Sequence, residues 1–289
     1  MPELNPNEEK RSILSDVDKI IDRELGVTDI GTTSPHYKHK ESCQTLSCHP
    51  SDGLAMLKLM EEIYKQIEEN WKGAGRRQMS KENWRYKLNS KISPKNDSLE
   101  VKLERAIARI FETSPSERDY WANQVPTASG LVHPRNDKHR NLDLIHMCRK
   151  GEYEFIELKV ESNTPLYASM ENLLYGLLYV FCRRNEKSQI DLGESDATKG
   201  QRDLLNADLI HLRVLAPFEY YEGCNLEWLE KKITVGLRQM GEKWRLPFRM
   251  DFEFQYFPTV TAAELKQGIK DSRIVEELQN RKPVYRCQE

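Results

Sequence analysis

The sequence predicts an α/β protein, and three observations carry that expectation. Short runs of large apolar or β-branched residues recur at 141–145, 155–160, 207–215 and 248–257. Amphipathic helical stripes separate them at 98–112, 164–184 and 225–240. Clusters of Gly, Pro and polar residues mark the joins. With 289 residues, 38% of them hydrophobic, the chain can bury one sizeable core and a smaller attachment.

Residues 1–95 read as a helical amino-terminal region ending in a basic, aromatic linker, with 96–289 as a second domain. Ile13, Leu14, Val17, Ile20, Ile21 and Leu25 form a stripe within a helix expected over 8–25. Leu54, Leu57, Met60, Ile63 and Ile67 form another over 51–70. Between them, His36, His39, Cys43, Cys48 and His49 lie in a polar stretch expected to be a loop. Their spacing matches no standard zinc finger or ribbon, so zinc at Cys43, Cys48 and His49 stays an open reading. The helical stripes of this region also offer a docking face for a protein partner.

The linker from Trp71 to Lys95 holds eight basic residues against one acid, Glu82, a local charge of +7 in a chain whose total is −2. Trp71, Trp84 and Tyr86 are interleaved with the charges. Cations neutralise phosphates and aromatic rings stack on bases, so Arg76, Arg77, Trp84, Arg85 and Lys87 are expected to contact nucleic acid. Arg135, Lys138, His139 and Arg140 form a second basic cluster, from which Lys138 and Arg140 join that set.

Ser98 suits the N-cap of a helix to Glu112 that buries Leu103, Ile107 and Phe111. Trp121–Val125 supplies a first strand, and Pro126 and Gly130 turn the chain. A hairpin follows, its strands joined by Arg149-Lys150-Gly151. If the connection closes Cys148 against Glu152, Met147 faces Tyr153, Ile145 faces Phe155 and Asp143 faces Glu157. Opposed side chains share one sheet face with Cβ atoms roughly 4.5–5.5 Å apart, where two acids repel unless a cation lies between them. Strand alternation puts Lys159 on the same face and Ile156, Leu158 and Val160 on the other. Two carboxylates from adjacent strands suit a hard divalent ion, Mg²⁺ or Mn²⁺, and a lysine beside them can orient water or offset charge on a phosphoryl transition state.

Thr164-Pro165 opens a helix to about Arg184, in which Glu171 and Tyr175 share one face. The succession of an acidic helix, Asp143, Glu157-Leu158-Lys159 and a helix with Glu171-x-x-x-Tyr175 resembles the PD-(D/E)XK nuclease superfamily, the restriction-endonuclease-like fold. The resemblance runs from about Ser98 to Leu215. It implies an α-β-β-β-α-β core with a mixed central sheet flanked by helices, to which this chain adds the amino-terminal helices and a carboxy-terminal α/β extension. It further implies Asp143, Glu157, the Leu158 carbonyl and Glu104 as metal ligands, with Lys159, Glu171 and Tyr175 completing the catalytic set. Two departures stand out: Glu171 replaces the usual Gln, and Leu142 precedes the first Asp where the family has Pro.

Beyond this core, 184–206 reads as a mobile or substrate-facing loop. Asn225–Met240 reads as a helix closed by Gly241, Phe248–Phe257 as a strand, and Thr261 with Glu264 as a capping box. Trp228, Trp244 and Tyr220-Tyr221 are expected to pack. No apolar run is long enough to span a bilayer, Met1–Lys10 is polar, and six irregularly spaced cysteines favour a reducing compartment, so the expected location is cytoplasmic. Cys148 and Cys182 are expected to be buried thiols. The functional expectation is a Mg²⁺-dependent nuclease acting on nucleic acid, DNA rather than RNA; the resemblance leaves a homodimer open, since many members dimerise, and no residue here identifies an interface. The competing expectation is a catalytically silent nuclease-fold module that binds nucleic acid or serves as a scaffold in a defence or repair assembly.

Overall fold

In a computed structural model, which describes residues 12–28, 35–91, 98–133, 137–138 and 140–285, one six-stranded mixed sheet separates two hydrophobic clusters. The start of the first expected helix (8–11), Lys95, Arg135 and His139 lie outside the described residues.

The helices are α1 (Val17–Leu25), α2 (Lys40–Cys48), α3 (Met56–Gly73), α4 (Leu99–Glu112), α5 (Pro165–Arg184), α6 (Lys199–Leu205), α7 (Glu227–Trp244), α8 (Ala262–Gln267) and α9 (Asp271–Gln279). The strands are β1 (Trp121–Pro126), β2 (Asn141–Arg149), β3 (Glu152–Leu158), β4 (Leu209–Pro217), β5 (Arg249–Phe257) and β6 (Lys282–Pro283). They lie side by side in chain order. β1, β2 and β3 are antiparallel, β3, β4 and β5 are parallel, and β6 runs antiparallel to β5. The element order from α4 to β4 is α-β-β-β-α, a short α6, then β.

On one face, α5 and α7 cover the sheet and α1–α3 pack outside them, so Ile13, Ile63, Phe181, Leu237 and Phe254 belong to a single buried cluster. On the other face, Leu103, Ile107 and Phe111 of α4 meet Leu144, Ile156 and Leu158 of the hairpin and Ile274 and Leu278 of α9. α5 has no wet side over most of its length because it lies between the sheet and the amino-terminal helices. Within it, the buried Asn172 amide donates to the carbonyls of Phe155 (3.1 Å) and Arg213 (2.7 Å), fixing the helix over β3 and β4.

The caps expected from the sequence are in place. Ser98 accepts from the Val101 N–H, Thr164 accepts from Tyr167 with Pro165 next to it, and Thr261 and Glu264 form the reciprocal box. Four expectations need correction. The His36–His49 stretch contains α2, whose short apolar side of Cys43 and Leu46 is buried, and Cys43 is joined to Cys224 by a disulfide with Cα atoms 5.9 Å apart. α7 continues one turn past Gly241 and ends at Arg245 in the left-handed conformation, with the Leu246 N–H on the Gly241 carbonyl. The 184–206 connection holds α6 and is tied down, since the Gln201 amide donates to the Lys81 and Asn83 carbonyls and Tyr179 to Leu204 (2.8 Å). Cys148 is exposed, whereas Cys182 is buried as expected.

Candidate active site

Hairpin register positions the site. Leu144 pairs with Ile156, Ile145 with Phe155 and Met147 with Tyr153, as the turn-based count requires. The turn itself differs. Arg149, not Cys148, faces Glu152, because a bulge between Met147 and Arg149 absorbs the extra residue and leaves the two-residue turn Lys150-Gly151, with Gly151 at φ +80°. From Met147 back to Leu144 the pairs keep the counted register, and the ladder ends there, so the expected facing of Asp143 and Glu157 is not a ladder pair.

One residue beyond the last paired position, Asp143 Oδ2 accepts the Leu158 backbone N–H at 2.9 Å, so β3 itself holds the carboxylate of β2. Glu157 and Lys159 are buried, and Asp143 is half-buried. The Lys159 ammonium donates to Glu157 Oε1 at 2.6 Å and to Glu171 Oε2 on α5 at 3.0 Å. Its backbone N–H reaches the Leu215 carbonyl of β4 at 3.0 Å, so the residue stays tied to the sheet past the end of β3. Two carboxylates therefore share one ammonium, with the Asp143 charge within electrostatic reach.

The protonation behaviour follows from that imbalance. Burial pushes the Asp143 carboxyl up to about 6, against the pull of Lys159 and the Leu158 N–H. Burial and the neighbouring Asp143 charge push Glu157 well above the usual carboxylate range. Burial opposes the charge on Lys159, but Glu157, Glu171 and Asp143 together hold it protonated.

Glu104 enters from α4, 1% exposed, and burial raises its carboxyl to about 7. The Asn123 amide of β1 hydrogen-bonds it and also donates to the Asn89 carbonyl at 2.9 Å, which orients the carboxylate. Asp143 lies close enough to Glu104 to raise its pKa further. Among the described residues, Glu157 Oε2 and Glu104 Oε2 are buried without a hydrogen-bond partner. A buried oxygen without a partner on Glu157, and one on Glu104 faced by the Arg105 Nε at 3.4 Å, in a donor set made only of oxygen, fit a hard divalent cation.

Tyr175 is buried beside the cluster, its phenol held well above the ordinary range by burial and then by Glu157, Glu171 and Asp143. Two neighbours escaped the sequence reading. Tyr220, expected only to pack, has a buried hydroxyl without a hydrogen-bond partner among the described residues, and it senses the charges of Lys159, Glu157 and Glu171. Gln124 of β1 adopts φ +46°, unusual for a residue with a side chain in a strand, and its amide lies 3.5 Å from Asp143 Oδ1. Neither stands in a motif, and each reaches the site through tertiary packing alone.

The basic linker divides. Trp84 is fully buried, stacked on Phe155 at 5.9 Å and edge-on to Tyr179 at 5.4 Å, so it is core and not a base-stacking platform. Arg85 is half-buried and donates to the Gln124 carbonyl at 3.2 Å, beside the site. Lys87 and Lys138 are exposed, while Arg140 is held by Asp137 at 2.8 Å. Arg76 and Arg77 are exposed at the far end, where Arg76 shares a shallow basic pocket with Lys72, Arg184 and Lys187.

No protein-family model, curated protein or solved structure matches the chain. What the cluster can do is therefore read from its atoms: an oxygen-lined cation cradle, an ammonium fixed beside it, and two protonated phenols at its margin.

Proposed function

We propose that the chain is a Mg²⁺- or Mn²⁺-dependent nuclease that hydrolyses phosphodiester bonds of nucleic acid, DNA rather than RNA, on a restriction-endonuclease-like plan. One observation carries this reading: Asp143, Glu157 and Lys159 meet at a single patch of the β2–β3 hairpin, with Glu104 arriving from α4 and the buried Glu157 Oε2 left without a hydrogen-bond partner among the described residues. A fold does not gather three or four acids around one ammonium for stability, because burying like charges is costly.

In this reading Asp143, Glu157 and Glu104, with the Leu158 carbonyl, would hold the ion. When bound, it supplies Lewis acidity at the scissile phosphate and makes water more acidic. Lys159, kept protonated by its neighbours, orients the attacking water and offsets negative charge as the phosphoryl group passes through its transition state. Glu171 fixes the ammonium, and the protonated Tyr175 and Tyr220 offer O–H donors to phosphate oxygens. Arg85 and Lys138 provide cations for the flanking phosphates.

The double ion pair of Lys159 with Glu157 and Glu171 favours a second reading, a silent nucleic-acid-binding module in which this lysine is wholly engaged in structure. The two separate on plasmid DNA and on RNA of matched length, with Mg²⁺ or Mn²⁺, using wild type and Lys159→Ala checked for folding by thermal unfolding. Metal-dependent cutting that disappears in the variant supports the nuclease. Binding without cutting by wild type supports the silent module.

A further inference from the structure

On the sheet face opposite Glu157, near the hairpin turn, a group unrelated to the proposed active site converges. His146 of β2 pairs across the hairpin with Glu154 of β3, and its Nδ1 lies 2.8 Å from Glu154 Oε2. Cys148 follows two residues later, at the bulge, with its sulfur 3.9 Å from the same Nδ1. The three ligand atoms lie within 4.8 Å of one another. The His146 ring is fixed by stacking on Trp121, with centroids 4.2 Å apart and planes 22° apart.

We infer that His146 Nδ1, Cys148 Sγ and Glu154 form a second metal site, chemically suited to Zn²⁺ and independent of the nuclease reading. Zinc takes imidazole nitrogen at about 2.0–2.1 Å, thiolate at about 2.3 Å and carboxylate oxygen at about 2.0–2.2 Å, so tetrahedral ligation separates neighbouring ligand atoms by roughly 3.3–3.6 Å. The present separations of 2.8 and 3.9 Å bracket that range, and small side-chain rotations at the exposed bulge bring them to it. The nitrogen, sulfur and oxygen set also differs in kind from the all-oxygen cradle across the sheet, and softer donors select zinc over magnesium.

The surroundings supply the charge. Around this face Glu152, Glu154, Asp251 and Glu253 stand against Arg149, Arg213 and Arg281, with the His211 imidazole between Glu152 and Asp251. An ionised Cys148 adds a further negative charge, which a dication offsets. Arg281 donates to Glu154 Oε2 at 2.9 Å, the oxygen His146 also meets, and so orients the carboxylate. Binding releases the thiol proton to solvent and places the imidazole proton on Nε2. Three protein ligands leave a fourth position for water on the solvent side, where Cys148 is exposed. The ion would clamp β2 to β3 at the bulge.

Cobalt reports the site directly, because a thiolate ligand gives Co²⁺ an intense near-ultraviolet charge-transfer absorption. In full-length protein carrying Cys48→Ser and Cys287→Ser, one equivalent of Co²⁺ is expected to produce that band, Zn²⁺ to bleach it, and Asp143→Asn to leave it intact. Adding Cys148→Ser should abolish it, and His146→Ala should weaken metal affinity at least tenfold by chelator competition. If either variant fails to fold, as judged by apo thermal unfolding, the other carries the test. Absence of the band in the folded Cys48→Ser/Cys287→Ser protein, or its persistence after Cys148→Ser, overturns the site and leaves His146 and Glu154 as an ion pair.

Discussion

Lys159 leaves the end of β3 and meets Glu171 of α5 at 3.0 Å, so the ammonium is gripped from two elements, by its own strand through Glu157 and by the helix above. A side chain with this much rotamer freedom gains direction only when both ends are held. Lys159→Ala should therefore lower metal-dependent cleavage by about 10²–10³-fold, the scale of losing one preorganised electrostatic donor. Glu171→Gln keeps a hydrogen-bond acceptor but loses the charge, and should cost about tenfold in kcat with KM little changed. Steady-state cleavage of a labelled duplex separates the two. Equal losses in both variants would place Glu171 among the groups touching substrate, contrary to its positioning role.

Asp143 and Glu157 repel each other across the hairpin, and burial raises both carboxyls. Removing one charge should relieve that conflict in the metal-free protein while destroying the cradle. Asp143→Asn is expected to melt at the wild-type temperature or a few degrees higher without metal, since sites tuned for function commonly cost stability. The Mn²⁺-induced rise in melting temperature expected for wild type should vanish. A retained metal shift would remove Asp143 from the ligand set.

The hairpin shows what the sequence made legible and where it stopped. Counting outward from the turn pairs Ile145 with Phe155 and Met147 with Tyr153, and the structure has both, because antiparallel pairing steps residue for residue along both strands once the bulge is passed, with apolar residues buried on both faces. Within the ladder the count fails next to the turn, where Cys148 slips into a bulge, and the ladder stops one residue short of the expected Asp143–Glu157 pair. Exposed residues there impose no apolar alternation, so nothing in their identity distinguishes a three-residue loop from a bulge and a two-residue turn. Helix starts were readable through local chemistry at Ser98, Thr164 and Thr261. Tyr220 and Gln124 were not, since a 3₁₀ turn after β4 and a left-handed residue inside β1 bring them to the site through long-range packing. The Cys43–Cys224 bond spans 181 residues and leaves no trace in spacing.

Glu100 of α4 anchors the segment that follows β3, its Oε1 accepting the N–H groups of Val160 (3.2 Å), Glu161 (3.2 Å) and Ser162 (3.0 Å). Burial works against its charge, but these donors and Ser98 hold the carboxyl down at about 2. A carboxylate depressed in the folded state contributes stability that is complete above its ordinary pKa of about 4.5 and fades as pH falls through 2. Glu100→Gln should therefore cost about 2–3 kcal/mol at pH 7 and roughly half that at pH 3. Urea unfolding of both proteins at the two pH values checks the sign. A cost that grows on acidification would contradict it.

Trp84 and Arg85 are neighbours with opposite fates, and a pair of variants tests the division. Trp84 is fully buried between Phe155 and Tyr179, and its backbone N–H is bonded to the Pro126 carbonyl at 2.7 Å. Deleting an indole there leaves a cavity among rigid aromatic neighbours, so Trp84→Ala should destabilise the protein by about 3–5 kcal/mol. At a temperature where the variant stays folded, its affinity for duplex DNA should match wild type, because no base can reach that ring. Arg85 is half-buried, donating to the Gln124 carbonyl and pairing with Glu82 at 3.1 Å, next to the strand that carries Asp143. Arg85→Ala removes a cation and little packing. It should weaken DNA binding severalfold and lower the slope of log affinity against log salt by about one phosphate contact, roughly 0.9. Fluorescence anisotropy across a salt series reads both quantities. A salt slope unchanged in Arg85→Ala would move the nucleic-acid track away from the carboxylates and towards the exposed cations Arg76, Arg77 and Lys87.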